Sequence, residues 1–546
     1  DRETRAAQGY YVPATESYVL VNPVSITQRD AAGTRSESSQ APRAATAGAL
    51  SAADSFPQSS YVRWSLSLVD RQGQTTASRQ YHTLPASGDG VAGTHYDETT
   101  YGYDSQGRQN KVRSPGGTIT RTVLDGFGRA LRIYVGTDDS GATDDDPTGQ
   151  GGAGSSSSRS SSSADPHNNM VLVTAYTYAG PGGCAECGGS SQLSETRQYV
   201  DAATSRATAY LYDWRQRQEY VVAEADDAGR VTYTRSYFDN LDRVTKVERY
   251  LEQYPSADLL LARQESFFDD LGRTYETRRY AVNPNTGAVG NYLAGYRWYD
   301  AAGHVITQQG EGQRSFRKTV FDGLGRAVQQ YVGCDVDETT YGEADNVSGD
   351  TILEQTETTF DAAGNVLLVT SRQRRHDATG TGELTTLSGS QPQARVSYVA
   401  AWCDAIGRQR AVANYGTNGD AALTRPSTVP ARSDSVLVST TEYDAAGQAY
   451  QTVDPAGRET RHVFDAAGRV TKTIQNYQDG VVDGADPDQD VTVEITYTAD
   501  GPMATLTAKN PATGDQVTTY VYGTTLADSG VARSDLLRAE IYPDSD

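Results

Sequence analysis

Thr460-Arg461-His462-Val463-Phe464-Asp465-Ala466-Ala467-Gly468-Arg469-Val470-Thr471-Lys472-Thr473-Ile474 is the stretch whose reading decides the fold. Runs rich in β-branched and aromatic residues flank Asp465-Ala466-Ala467-Gly468, as expected of two strands. Asp at the first position of a type I turn accepts hydrogen bonds from backbone N–H groups ahead of it. Gly at the fourth position takes the left-handed conformation that closes a bulged hairpin. The stretch therefore predicts a β-hairpin, and it recurs. Tyr103-Asp104-Ser105-Gln106-Gly107-Arg108, Leu124-Asp125-Gly126-Phe127-Gly128-Arg129, Phe268-Asp269-Asp270-Leu271-Gly272-Arg273, Phe321-Asp322-Gly323-Leu324-Gly325-Arg326 and Cys403-Asp404-Ala405-Ile406-Gly407-Arg408 repeat its aromatic-Asp-x-x-Gly-Arg mark, with Cys or Leu in two aromatic slots. Composition alone would give roughly one such match or fewer, so the recurrence marks a repeat architecture.

Weaker copies fill the gaps. Asp30, Asp70, Asp226, Asp300, Asp361, Asp444 and Asp454 each have Gly three residues later, whereas Gln216 and Asp242 replace it after Asp213 and Asp239. Asp tolerates positive φ fairly well, but Gln216 would cost about 1 kcal/mol or more there, so the Asp213 turn is expected to be the weakest. Turns about 21 residues apart, as at Asp104 and Asp125 or Asp444 and Asp465, suit two strands of roughly six to eight residues with a turn at each end. The wider gaps from Asp322 to Asp361 and from Asp361 to Asp404 imply a degenerate repeat or a long loop.

The 546 residues are 37% hydrophobic, with a mean hydropathy of −0.60 and no long apolar helical pattern, which argues against a thick conventional core. Thirty-five Tyr against nine Phe and two Met point to faces lined by amphipathic rings, each with a hydroxyl to satisfy. The expected fold is all-β: antiparallel hairpins in a long strip, a single layer wet on at least one face. On the order of 40 strands at about 4.8 Å spacing would make a ribbon roughly 190 Å long and about 20 to 25 Å tall. Sheet twist and the exposed edges favour coiling. One turn of the whole ribbon would enclose a tube roughly 60 Å across, too wide for its own side chains to fill.

The recurring mark followed by a β-branched strand resembles the RHS/YD-repeat family, and eight intact Asp-x-x-Gly-Arg copies between about Asp30 and Asp500 carry the resemblance. The resemblance implies a strip of hairpins that spirals into a hollow shell, enclosing a toxin in bacterial members and related to the adhesive barrel of the teneurins. The family's core segment with a paired-aspartate cleavage site is not recognisable here, and the chain is expected to be a piece of something longer.

The organisation expected is YD-repeat hairpins over 1–136, a low-complexity acidic and Gly/Ser loop over 137–169, and hairpins continuing the same sheet over 170–546. Segments 31–60 and 373–395 read as milder versions of that loop. Cys184 and Cys187 form the only closely spaced Cys pair; half a zinc site, a redox motif and a local disulfide all use this spacing, and a structural disulfide is the first expectation, an inert thiol pair the second and metal the third. Asp486, Asp488 and Asp490 mimic the opening of a calcium loop, but Val491 stands where Gly is needed and Tyr497 where the bidentate Glu belongs, so a solvated acidic loop is the expectation.

Net charge is −22, and 43 of the 48 basic residues are Arg. An acidic envelope argues against nucleic acid or an anionic membrane as partner. No run approaches a transmembrane length. The six His at 82, 95, 167, 304, 376 and 462 are scattered, and neither a Gly-x-Ser-x-Gly elbow nor a His-Glu-x-x-His motif is present. The repeated Asp residues each have a turn to hold. The sequence thus points to a non-enzymatic β-shell segment without cofactor, secreted or at the cell surface, around a polypeptide carried by its own or a neighbouring chain. The second reading is an extracellular adhesive role, with Tyr rings stacking on glycans, or assembly of copies into a fibre or surface layer.

Overall fold

The computed structural model describes all residues except 1, 13, 15, 44–47, 150–167, 179–191, 201–203, 253–256, 335–339, 483–485 and 544–546. Cys184, Cys187 and the Gly/Ser run therefore lie outside the described residues. The rest form 33 strands in one antiparallel sheet. Each strand pairs with those before and after it in the chain, from Arg2–Val12 on Ser17–Arg29 to Gln516–Thr524 on Arg533–Ile541. Among the described residues the only α-helix is Tyr341–Ala344.

The Asp marks sit at alternate connections along one edge of the strip, except those at Asp226 and Asp454, which turn at the opposite edge. In the 104–108 turn Gly107 has φ +79° and its N–H donates to the Asp104 carbonyl at 2.9 Å, while the N–H groups of Gln106 and Arg108 both donate to Asp104 Oδ1 at 2.9 Å. The register shifts by one residue just before the turn, at Gly102/Tyr103, and the same shift recurs at Phe267/Phe268, Val320/Phe321, Trp402/Cys403 and Val463/Phe464. This is the bulge that a left-handed fourth residue requires. Gln216 and Asp242 take the same conformation without Gly, at φ +66° and +64°. The Gln216 turn keeps its hydrogen bonds, at 2.9 Å from Gln216 N to Asp213 O and 3.0 Å from Arg217 N to Asp213 Oδ1. Side-chain bonds to the first Asp thus hold the backbone where the fourth residue is unfavourable.

Cross-strand partners project from the same side of a sheet, so the registers trace each face from strand to strand. The Val24–Ala41, Arg35–Leu68 and Tyr81–Tyr96 pairs, the Glu248–Arg263 and Lys318–Tyr331 pairs, and the Tyr398–Thr370 and Ala413–Val438 pairs all lie on one face. Four buried apolar clusters form on that face, and in each a long connection from the other edge lies against the strands. Leu50, Phe56 and Tyr61 pack on Val24 and Ile26; Tyr61 and Leu84 on Trp64 and Tyr81; Val347 and Leu384 on Phe316, Tyr331 and Ile352; Leu423 and Val436 on Trp402 and Val438.

This corrects the reading of 31–60 and 373–395 as loose insertions. Arg35–Ala41 is a strand, and Leu384 is 3% exposed. One or two apolar anchors within an Ala-, Ser- and Thr-rich run suffice to seat it, because the sheet supplies the rest of the pocket.

Candidate functional site: the hairpin latch and the lap seam

The Arg that ends each mark acts on two hairpins at once. Its Nε donates to its own turn's Asp, at 2.7 Å for Arg108–Asp104, Arg273–Asp269, Arg408–Asp404 and Arg469–Asp465, at 2.6 Å for Arg129–Asp125 and at 2.8 Å for Arg326–Asp322. The guanidinium so oriented lies over the aromatic ring of the next turn on that edge. Arg217 covers Phe238 at 4.6 Å, Arg243 covers Phe268 at 4.5 Å, Arg326 covers Phe360 at 4.8 Å and Arg469 covers Tyr497 at 4.6 Å. Nη1 of Arg217, Arg273 and Arg326 donates to the carbonyl of the next turn's Asp at 3.0 to 3.1 Å.

Where the ring is Tyr, its hydroxyl reaches back to a carbonyl beside the preceding turn: Tyr103 to Thr75, Tyr299 to Thr274 and Tyr497 to Val470, at 2.8, 2.9 and 2.7 Å. Aromatic, Asp and Arg therefore form a latch from hairpin to hairpin, with charge-assisted hydrogen bonds and, where the next turn supplies a ring, a cation–π contact; the turn after Arg108 has Leu124 in that slot, and there Arg108 bonds only the Asp125 carbonyl. The Arg326 side chain and backbone N–H together hold the Asp322 carboxyl below the usual carboxylate range. Substituted copies keep part of the device. His304 bonds Asp300 through Nδ1 at 2.8 Å and stacks on Phe321 at 4.7 Å, and Asn365 Nδ2 donates to Asp361 at 2.8 Å. Sequence reasoning found the turn but not the Arg-to-next-ring contact; its signal was an aromatic residue preceding Asp at the next turn after most intact Arg.

A second set of contacts joins residues about 400 apart. Arg63 Nη2 donates to Gln448 Oε1, and Ala466 N to the His82 carbonyl at 3.0 Å. Gly116 N donates to Asp500 Oδ1 at 2.7 Å, Ser534 N to Thr118 Oγ1 at 2.8 Å, and Ser534 Oγ to Asp500. Arg63, His82, Gly116 and Thr118 lie at the lower ends of early strands, opposite the Asp turns. Gln448, Ala466, Asp500 and Ser534 lie at the turn edge of late ones. The turn edge of a second lap thus docks beneath the first lap along a seam. Gly116 fits here because a Cβ on it would stand 2.1 Å from Asp500 Oδ2. Burial pushes the Asp97 carboxyl up; His82 and Arg469 oppose this, while Asp500 and Asp465 across the seam reinforce it.

About 23 strands separate the joined positions, so the perimeter is ~110 Å and the width ~35 Å at 4.8 Å per strand. This corrects the tube of roughly 60 Å. The strip does not close on its full length but winds through about one and a half laps.

The remaining candidates are accounted for in place. Asp490 is buried, and its Oδ1 accepts the N–H groups of Gln478 and Gly480 at 2.9 Å, while Asp486 and Asp488 are exposed. Among the described residues no group of three or more His, Cys, Asp or Glu is placed to hold a metal ion. A cavity of about 650 Å³ lies beside Lys318, Tyr331 and Tyr341. The buried Lys318 ammonium donates to the Asn346 carbonyl at 2.6 Å, to Asp350 Oδ2 at 2.7 Å and to the Glu343 carbonyl, so it ties down the 341–350 segment.

Residues 443–476, which include the Asp444, Asp454 and Asp465 turns, match the family model RHS Repeat. That segment carries the RHS repeat which the recurring marks resemble. Among solved structures this chain is similar to a Photorhabdus luminescens Tc holotoxin pore carrying a TccC3 mutation, at 10% identity and a TM-score of 0.27, over 94% of this chain and 26% of that one. It is also similar to TcdB2-TccC3 without its hypervariable C-terminal region, at 11% identity and a TM-score of 0.26, over 94% and 26%. A porin-like protein from Bacteroides uniformis aligns at 9% identity and a TM-score of 0.12, over 69% and 95%. The chain spans about a quarter of the length of those two Tc chains. No curated protein matches it.

Proposed function

We propose that this chain is a non-enzymatic wall segment of a large secreted or surface-exposed YD-repeat protein, and that the wall encloses or shields a polypeptide carried by the same or a neighbouring chain. The seam carries the reading. A strip that docks its turn edge beneath its own first lap is a continuous wall, and a lap of about 23 strands is wider than side chains from its own strands fill. The latch supports a steric role, since the marked Asp and Arg side chains are committed to one another and to the neighbouring hairpin. No helix among the described residues is long and apolar enough to cross a membrane.

Electron microscopy of the isolated particle tests the enclosure: a ring or short tube with a low-density centre is expected, and a solid centre built by the wall's own strands overturns it. A reporter peptide fused after Asp546 tests shielding. Protease should spare it in the unaltered wall and cleave it once Gly116→Val has wedged the seam, whereas equal cleavage in both would reject shielding.

A further inference from the structure

The five most exposed large apolar side chains among the described residues all stand at tips of Asp turns: Phe127 at 72%, Trp214 at 88%, Leu241 at 72%, Leu271 at 73% and Leu324 at 75%. They belong to first-lap turns, at Asp125, Asp213, Asp239, Asp269 and Asp322. The turn tips that dock in the seam carry Ala445-Ala446 and Ala466-Ala467 instead. Small tips suit the close approach of Ala466 N to the His82 carbonyl. The large tips lie on the continuation of that same docking edge.

We propose that this sector of the first-lap rim is an interface between two copies of this chain, which meet rim to rim about a two-fold axis. Three observations select a second copy. The edge is continuous with one that already docks on YD-repeat strands within the chain. Hairpins repeat every two strand spacings, ~9.6 Å, so knobs interrupted by the small Ala301-Ala302 tip fall at multiples of one pitch, which an identical rim matches. The turn charges beside the knobs are largely paired, Asp213 with Arg217, Asp239 with Arg243, Asp269 with Arg273, Asp322 with Arg326 and Arg215 with Asp242, so the knobs stand among neutralised charges with the exposed Asp270 as the exception. On the opposite edge the most exposed apolar side chains, Val91, Val200 and Val481 at 61 to 64%, stand on separate connections. Two such rows, fully covered, would bury on the order of 1,500 Å² in total, a standard interface.

Sedimentation of the 546-residue chain at several concentrations and salt levels is the test. A dimer is expected, and it should strengthen with salt, because screening weakens the repulsion between two chains of net charge −22. Leu241→Glu with Leu271→Glu and Leu324→Glu should weaken it by at least ~100-fold. Their exposure leaves the melting temperature unchanged. In the unaltered protein, acrylamide quenching of Trp214 should fall as the dimer forms. A monomer at every concentration and salt level, a dimer indifferent to the three substitutions, or quenching that does not change on association would each overturn the proposal.

Discussion

Two sectors of the same sheet face solve the same problem with different chemistry. In the strands from Ser315 to Tyr443, and again from Ser17 to Tyr103, long connections fold back onto the face and the strands supply apolar clusters. Between 173 and 315 the connections at that edge are short, and Leu260 is the only buried hydrophobic residue among those described. That bare sector is held by ladders of rings and charges instead. Tyr220, Tyr233 and Tyr250 follow one another at 5.9 and 5.0 Å, and Glu219, Arg235, Glu248 and Arg263 run alongside. A single layer without a lid cannot withdraw apolar area from water on that side, so amphipathic rings and paired charges take the place of a core.

The sharpest way to break this comparison is to delete one ring in each sector. Trp64, buried and stacked on Tyr81 at 4.0 Å beneath Tyr61, belongs to the covered kind. Trp64→Ala should cost about 3 to 5 kcal/mol. Tyr233→Ala, in the bare sector, should cost about 1 kcal/mol, the value of a stacked pair with one side wet. Equal shifts in urea midpoint would show that the lids contribute nothing.

A charge gives the next largest effect. Burial alone would raise the Glu248 carboxyl, but hydrogen bonds from Tyr237, Tyr250 and Arg263 outweigh it and bring the group from 4.5 to about 2. Because the folded value lies below the unfolded one, this contribution is complete above about pH 4.5 and is lost as pH falls towards 2. Glu248→Gln should cost about 2 to 3 kcal/mol at neutral pH. It should also flatten the loss of stability between those two pH values, which melting curves across an acid series would read. An acid limb unchanged by the substitution would remove Glu248 from the ladder.

The hairpins and their turns were legible because their causes are local: Asp and Gly three residues apart set a turn, and the flanking residues set strands. A layer wet on at least one face was legible, since an excess of Tyr over Phe is what such a layer demands, but which sector stays bare was not. The lids were not. Leu384 and Phe56 sit in runs whose composition reads as low complexity, and the pocket each fills is built by strands elsewhere in the chain. The latch was half visible, because the Arg and the ring it covers belong to successive marks 21 or more residues apart. The seam was beyond reach, since partners 385 and 416 residues apart leave no periodic trace in the sequence.

The two smallest effects separate turn from insertion. Gly468 has φ +87° in the turn that docks at the seam, and a Cβ there would stand 2.9 Å from Arg63 Nη2 and 3.0 Å from Gln448 Oε1. Both neighbours are ends of flexible side chains, so the cost of Gly468→Val lies in the backbone and should be about 1 to 3 kcal/mol. Removing Ser155 to Ser163 shortens a connection whose composition offers nothing to bury. The closure entropy of a long loop changes only slowly with its length, so the melting temperature should move by less than a degree or so, and slightly upward if at all. Calorimetry on the two variants side by side decides the matter: if the deletion costs as much as the valine, the Gly/Ser run is a seated lid like 375–393, and the division of the strip into covered and bare sectors has to be redrawn around it.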